Sequence, residues 1–458
     1  MPCTRKDNRH DLKTQTMKHR NNFLTTIIVT VIALTVVVIF FTINKPVSKR
    51  TEPASLKKVA VNDTFRVRPL TNIRYERTAE RLKRGEYLTT GLLQCFTCHS
   101  PRNWKEPGAP PIAEQLGSGG TILVEDSTTL AIAPNITPDK ETGAGTWTDD
   151  MLGRAIREGV GHDGRALYWQ MPSTTFRSLS DEDLASVIVY LRSIPAVYNA
   201  VRPIRMPKEL RSGIERSLNP LTKPVEMPDL SDTMKRGRYL VALGECVGCH
   251  TSHSEYNPGL LAGGNFIDRF GRKDFSANIT SHSSGMSYGP EGFIFVLRTG
   301  KGGTLSPIMP WIAYKNMTDD DLKVMYAYLK KILSSQHYVS NQAPFSHCVI
   351  CGQEHGLGKK NKLEKPTGIK PDPDLYDLYA GTYFNEVYNL TPTIAREGNK
   401  LIFRPWENGP RVELIPQSEQ HFLAPGWVLP VSFVKDKSGH VTQMIEDSDL
   451  GGIYKKIK

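Results

Sequence analysis

Two pentapeptides constrain this chain more than anything else in its 458 residues. Cys95-Phe96-Thr97-Cys98-His99 and Cys246-Val247-Gly248-Cys249-His250 each bring two thiols and an imidazole within about one helical turn. Cys-x-x-Cys-His is the attachment signature of c-type haem. Two thiols one turn apart bond the two vinyl edges of one porphyrin, and the adjacent histidine turns its imidazole to the iron from the same face. Two copies predict two covalently bound haem c groups on Cys95, Cys98, Cys246 and Cys249, with His99 and His250 as iron ligands. A zinc site would usually have fewer than about twenty residues between its cysteine pairs, and a redox dithiol does not need the histidine twice.

An internal repeat points the same way. Arg84-Gly85-Glu86-Tyr87-Leu88 precedes the first motif, and Arg236-Gly237-Arg238-Tyr239-Leu240 precedes the second. Asn135-Ile136-Thr137 recurs as Asn278-Ile279-Thr280, Arg157 and Gly159 as Arg298 and Gly300, and Ser180-Asp181-Glu182-Asp183-Leu184 as Thr318-Asp319-Asp320-Asp321-Leu322. The order is kept while the spacing shrinks, as in a duplicated domain with loop deletions. Met171-Pro172 and Met309-Pro310 occupy equivalent places in the two copies. A thioether is a soft ligand that suits haem iron opposite histidine and raises its potential. A single methionine ordinarily fills core space, but the matched pair makes Met171 and Met309 the candidate sixth ligands. His162, His253 and His282 recur at no matched position and read as surface or propionate-contacting residues.

The expected fold class is mostly α. Residues 76–90 read as an amphipathic helix before the first attachment loop, and Thr148 or Asp149 starts a helix running to Glu158. Ser180-x-x-Asp183 and Thr318-x-x-Asp321 resemble capping boxes. They open helices whose apolar residues (Leu184, Val187, Ile188, Leu191; Leu322, Met325, Tyr326, Leu329) follow one helical face. Gly- and Pro-rich stretches between each attachment motif and its methionine read as loops around the porphyrin. After Asp374 the pattern changes to short alternating runs, with strands expected at 400–403, 412–415 and 431–434 and a hairpin turn at 436–439. The expected domains are haem units at 76–200 and 230–337, with a small antiparallel β domain at 374–458. A linker at 44–75, a stiff, non-helical Pro-rich linker at 201–229 and a linker at 338–373 carrying a third Cys-x-x-Cys join them.

The charge is concentrated near the N-terminus. Residues 1–58 carry eleven Lys or Arg against three acids, out of a net charge of +11 for the chain, so wholesale nucleic-acid binding is excluded. Residues 23–43 form an uncharged apolar run, about the length needed to cross ~30 Å of hydrocarbon. No small-residue cleavage site follows. The basic segment 1–22 favours a cytoplasmic N-terminus. The expectation is an uncleaved single-pass anchor in the cytoplasmic membrane, with the haem units on the periplasmic side.

Pro134-Asn135-Ile136-Thr137-Pro138-Asp139, Gly143-x-Gly145-x-Trp147-Thr148, Arg157-x-Gly159 and Met171-Pro172 together resemble the multi-haem cytochrome c subunits of membrane-bound alcohol and aldehyde dehydrogenases. The resemblance covers about residues 76–337 and both repeats. It implies two tandem class I cytochrome c domains, with His99 and Met171 on one iron and His250 and Met309 on the other. That family commonly carries three such domains. In the second repeat Asn-Ile-Thr continues as Ser281-His282 where the first has Pro-Asp. The C-terminal part resembles the small β domain that follows the catalytic domain of some serine-hydrolase-like proteins, through Gly381-x-Tyr383 and Phe433-x-x-Asp436-x-x-Gly439. His421 and His440 have no nucleophile partner there, so a docking or packing module is expected.

The third pair stands in His347-Cys348-Val349-Ile350-Cys351-Gly352-Gln353-Glu354-His355. Gly352 replaces the haem histidine. A local disulfide, a dithiol oxidised by a redox partner and a zinc site of His347, Cys348, Cys351 and His355 remain open readings. The functional expectation is a dihaem electron carrier without catalytic residues, taking single electrons from a periplasmic dehydrogenase and passing them to an oxidase or soluble cytochrome. The alternative is a dihaem, peroxidase-like enzyme in which one iron lacks a stable sixth ligand.

Overall fold

Helix caps and glycines set the architecture of each repeat. The computed structural model describes residues 67–458 apart from 219, 253–257, 270–271, 302–307, 333, 363–371, 386–389, 407–410, 417, 425–430 and 447–451. In the first repeat, α1 (Ala79–Tyr87) is capped by Thr78 and continues as a wider turn, Leu88–Leu92, up to the attachment motif. Next come α2 (Asp149–Glu158), capped by Thr148 and closed by left-handed Gly159, and α3 (Asp181–Leu191), capped by Ser180. Pro207 then opens α4 (Lys208–Ser217). The second repeat supplies α5 (Thr233–Leu243), capped by Asp232, α6 (Pro290–Thr299), closed by left-handed Gly300, and α7 (Asp319–Leu329), capped by Thr318. In each repeat the helix before the attachment motif packs on the last helix, α1 on α3 and α5 on α7.

Those two packings need glycine. A Cβ on Gly85 would sit 2.0 Å from the Ser186 carbonyl oxygen, and one on Gly237 would sit 2.5 Å from Tyr328 Cβ. The Arg-Gly-x-Tyr-Leu repeat therefore records two close helix crossings. One apolar cluster runs through both repeats, from Leu88, Leu92 and Phe96 to Leu322, Tyr328 and Leu329.

The repeats also clasp each other reciprocally. Asp183 takes a two-pronged ion pair from Arg84 of its own repeat (2.7 and 2.8 Å) and a hydrogen bond from Tyr239 of the other (2.9 Å). Asp321 takes both Arg236 donors of its own repeat on one oxygen and, across the repeats, the Tyr87 hydroxyl on the other. Each tyrosine oxygen also accepts the backbone N–H of the facing helix cap, Ser180 or Thr318.

The mostly α expectation is corrected. Fourteen strands lie among the described residues, and the last eight close into an antiparallel barrel. The Gly- and Pro-rich stretches 107–111, 117–120 and 259–264 are irregular as expected, and two hairpins lie beyond them, β1 (Ile122–Glu125) with β2 (Leu130–Ile132) and β3 (Phe266–Arg269) with β4 (Arg272–Phe275). The third cysteine pair lies between β5 (Ser340–His347) and β6 (Glu354–Gly356). From β7 (Gly381–Phe384), strands β8 (Thr393–Glu397), β9 (Lys400–Arg404), β10 (Val412–Pro416), β11 (His421–Leu423), β12 (Val431–Lys435), β13 (Val441–Glu446) and β14 (Ile453–Lys456) follow in order, and β14 pairs back on β7. Closure removes every open sheet edge around a core that includes Tyr379, Tyr383, Phe403, Phe422 and Phe433. The fold is thus α+β.

The Pro-rich segment expected to be non-helical holds α4. Its Leu210 and Ile214 bury against Ala131 and Tyr168, and this tertiary packing outweighs the flanking prolines.

The single-pass anchor and its cytoplasmic-membrane location are corrected as well. No helix among the described residues is long and apolar enough to cross a membrane. The longest have 11 residues, about 16 Å against the ~30 Å required. The run 23–43 itself lies outside the described residues.

Candidate haem sites

Both attachment motifs fold as the single helical turn that two-point attachment requires, at Cys95–Cys98 and Cys246–His250. Each turn is aimed by a left-handed residue just before it, Gln94 at φ 53° and Glu245 at φ 59°. Such backbone is strained for residues with a side chain, and strain of this kind collects at functional sites. Its recurrence at matched positions marks it as a property of the repeat. Burial pushes the Cys95 and Cys246 thiols up to about 12, so they are kept neutral.

The histidines are oriented as ligands. His99 Nδ1 lies 2.8 Å from the Pro134 carbonyl and His250 Nδ1 lies 2.7 Å from the Ala277 carbonyl. A carbonyl can only accept, so Nδ1 carries the proton and Nε2 keeps a lone pair for a metal. Burial lowers both imidazoles below the ordinary histidine range, against a smaller opposing effect of those carbonyls, and favours the neutral form.

The surrounding loops repeat bond for bond. Gly119 N–H donates to the His99 carbonyl and Gly263 N–H to the His250 carbonyl. The Asn135 side-chain oxygen accepts from Thr137 N–H and hydroxyl, and its amide donates to the Val197 carbonyl (2.8 Å). Asn278 does the same with Thr280 and the Ser335 carbonyl (2.7 Å). Asn-Ile-Thr is thus a clamp tying the loop around each motif to the chain that leaves the last helix.

Met171 and Met309 are both half-buried against the apolar cluster that also packs Cys95 and Cys246. The prolines that follow cap short helical turns, Ser173–Phe176 and Trp311–Tyr314, with nearly identical backbone (φ −79°, ψ 52° and φ −78°, ψ 57°). His162 stacks on Trp147 with ring centres 4.4 Å apart. His282 bonds within its own loop to Ser284, and His253 lies outside the described residues.

A hydrogen-bonded bridge joins the two motifs. The Gln94 amide, beside Cys95, donates to the Tyr314 hydroxyl (2.6 Å), which donates to the Gly244 carbonyl (2.5 Å) two residues before Cys246. Arg269 and Glu245 act electrostatically on both Cys98 and Cys249, so the two attachment turns share one charged environment. A signal did exist: four residues past each Met-Pro proline stand Phe176 and Tyr314, which differ by the bridging hydroxyl.

No family model matches the chain. It is 33% identical over 184 residues to the gluconate 2-dehydrogenase cytochrome c subunit of Pantoea cypripedii, covering 38% of each chain. To the cytochrome c subunit of the quinone alcohol dehydrogenase of Gluconobacter oxydans it is 27% identical over 274 residues, 55% of this chain and 54% of that one. It is 28% identical over 257 residues to a diheme c-type cytochrome of Cereibacter sphaeroides, 52% of this chain and 81% of that one. These three relatives are named as cytochromes c. The chain spans about half or less of the length of the two dehydrogenase subunits. These relatives support an electron-transfer cytochrome and imply covalently bound haem c. The donor set fits that group: free thiols one turn apart, one buried and three half-buried, each pair followed by an imidazole whose Nδ1 is already engaged.

Proposed function

We propose that the chain is a dihaem c-type cytochrome that takes single electrons from a dehydrogenase and passes them to a downstream one-electron acceptor. Cys95 and Cys98 hold one haem and Cys246 and Cys249 the other. His99 with Met171 would hold one iron and His250 with Met309 the other, in haem units spanning 76–200 and 230–337, with 374–458 as a separate β module. The observation that carries this reading is the bond-for-bond recurrence around the two Cys-x-x-Cys-His turns.

A haem c bound there supplies reversible one-electron chemistry at iron. The chain's own residues do the rest. The Pro134 and Ala277 carbonyls fix the two imidazoles. The apolar cluster keeps the sites dry. The Gln94–Tyr314–Gly244 bridge and the paired Asp183 and Asp321 clasps hold the two attachment turns at a fixed separation. Were both irons held by a histidine and a methionine, no position would be open for substrate, and the chain would serve as an electron carrier without a catalytic site.

The test is a haem count and a visible spectrum of the purified, dithionite-reduced protein, before and after carbon monoxide. Two haems per chain, neither binding the gas, are expected. A single haem refutes the dihaem assignment. A gas-induced shift of one haem refutes its methionine ligand and makes peroxide turnover the next assay.

A further inference from the structure

The third cysteine pair makes a site that the haem reading does not use. His337, Cys348, Cys351 and His355 are all buried, and their candidate ligand atoms lie within 4.8 Å of one another. Cys348 Sγ is 3.5 Å from His337 Nε2, and Cys351 Sγ is 3.2 Å from His355 Nε2. Tetrahedral zinc with Zn–S near 2.3 Å and Zn–N near 2.0–2.1 Å gives a sulfur–nitrogen edge of about 3.6 Å. The geometry points to a structural zinc site formed by His337, Cys348, Cys351 and His355.

Three features favour a metal over a disulfide. Each sulfur faces an imidazole nitrogen, and neither cysteine is in a disulfide. Both Nδ1 atoms are engaged with backbone carbonyls, His337 with Ala262 (2.8 Å) and His355 with Gly356 (3.0 Å), leaving both Nε2 lone pairs facing inward. Two thiolates and two imidazoles form the donor set of closed zinc sites, with no place for a substrate. His347, counted among the ligands from sequence, is exposed on β5 and stands outside the cluster. His337, eleven residues before Cys348, takes its place.

The repeat shows how this site arose on a haem unit. Asn199 and His337 are matched positions, as are Ser118 and Ala262. In the first repeat the Asn199 amide donates to the Ser118 carbonyl (2.9 Å), and in the second His337 Nδ1 donates to the Ala262 carbonyl (2.8 Å). Histidine keeps the brace and adds a second nitrogen for a metal. That brace adjoins Gly263, whose N–H holds the His250 carbonyl. The zinc site therefore fastens β5 and β6 to the loop behind the second attachment motif.

The test is elemental analysis and zinc X-ray absorption on the full chain purified without chelator, with iron reporting haem independently of zinc. Expected are one zinc per chain and a shell of two sulfurs and two nitrogens. His337→Asn, which restores the first repeat's residue and its brace, should lose zinc while keeping haem. His347→Ala should keep both. Absence of zinc with a mass lighter by two hydrogens, the mark of a Cys348–Cys351 disulfide, overturns the proposal. So does zinc in any other shell, iron in this one, full zinc retention by His337→Asn, or zinc loss in His347→Ala. Should His337→Asn fail to accumulate, the wild-type absorption spectrum decides alone.

Discussion

Replacing Gly85 by alanine tests the packing that places the first attachment turn. In an exposed helix this change should stabilise by about 1 kcal/mol, because glycine gives up more backbone freedom on folding. Here the added methyl would stand 2.0 Å from the Ser186 carbonyl oxygen and 2.6 Å from Tyr190 Cβ. Carbon and oxygen do not approach within about 3 Å in packed interiors, so α1 and α3 would have to part by roughly 1 Å. Overpacking of this order costs about 1–3 kcal/mol, occasionally more. A rigid backbone obstacle belongs at the upper end, leaving a net loss of about 2 kcal/mol after the helix-propensity gain.

The internal control is Gly213 in α4, which has nothing within 4 Å of its added Cβ. Gly213→Ala should gain up to about 1 kcal/mol. Urea unfolding of the two variants, followed by the haem band and by tryptophan fluorescence, reads the difference. With a slope near 2 kcal/mol per molar urea, Gly85→Ala should lower the midpoint by roughly 1 M, and Gly213→Ala should raise it. Equal gains in both variants would refute the close crossing and leave the repeated glycine of Arg-Gly-x-Tyr-Leu without its explanation.

Three further outcomes follow. Tyr314→Phe puts the first repeat's own residue, Phe176, in its place; it should cost about 1–2 kcal/mol for the lost bridge at unchanged haem content, read by urea midpoint and pyridine haemochrome. Tyr239→Phe leaves Asp183 with Arg84 alone and should cost a similar amount in the same assay. At the N-terminal edge, burial raises the Asp150 carboxyl, but its Arg68 pair and the Thr71 N–H and hydroxyl outweigh that and hold it below the usual carboxylate range. A lowered folded value means this stabilisation is complete above the unfolded value near 4 and is lost as pH falls through the folded one. Melting temperature measured from pH 7 down to 3 should fall less steeply below pH 4 in Arg68→Ala than in the wild type, and parallel curves would refute the pairing.

The parts legible in the sequence are those where chemistry needs a particular residue at a particular spacing. The two Cys-x-x-Cys-His turns, the Thr148, Ser180 and Thr318 caps and the β9, β10 and β12 runs are of this kind. What escaped depends on contacts between distant segments. Barrel closure through β14 and β7 joins residues about 70 positions apart, and no local pattern announces it. Helix α4 owes its place to Ala131 and Tyr168, far from the prolines that argued against it. His337 joins the buried His/Cys cluster from eleven residues before Cys348, and in the sequence only its match to Asn199 marks it. The Gln94–Tyr314–Gly244 bridge is likewise a tertiary fact, hinted at only by one hydroxyl that distinguishes two matched positions.

The reciprocal clasp says how a duplication becomes one device. A domain that folds alone needs its Arg84–Asp183 pair to hold helix to helix, and the second copy keeps this as Arg236–Asp321. Neither carboxylate is saturated by one guanidinium, since each offers about four acceptor positions. The neighbouring repeat fills the vacancy with a tyrosine from the same five-residue motif, Tyr239 on Asp183 and Tyr87 on Asp321. One motif therefore supplies the glycine for the internal helix crossing, the arginine for the internal ion pair and the tyrosine for the external bond. Because the exchange runs both ways, sliding one repeat along the other would break two bonds at once, one buried and one half-buried. The proposed relay between two haems would need that rigidity, and it is written into the residues that make each copy fold.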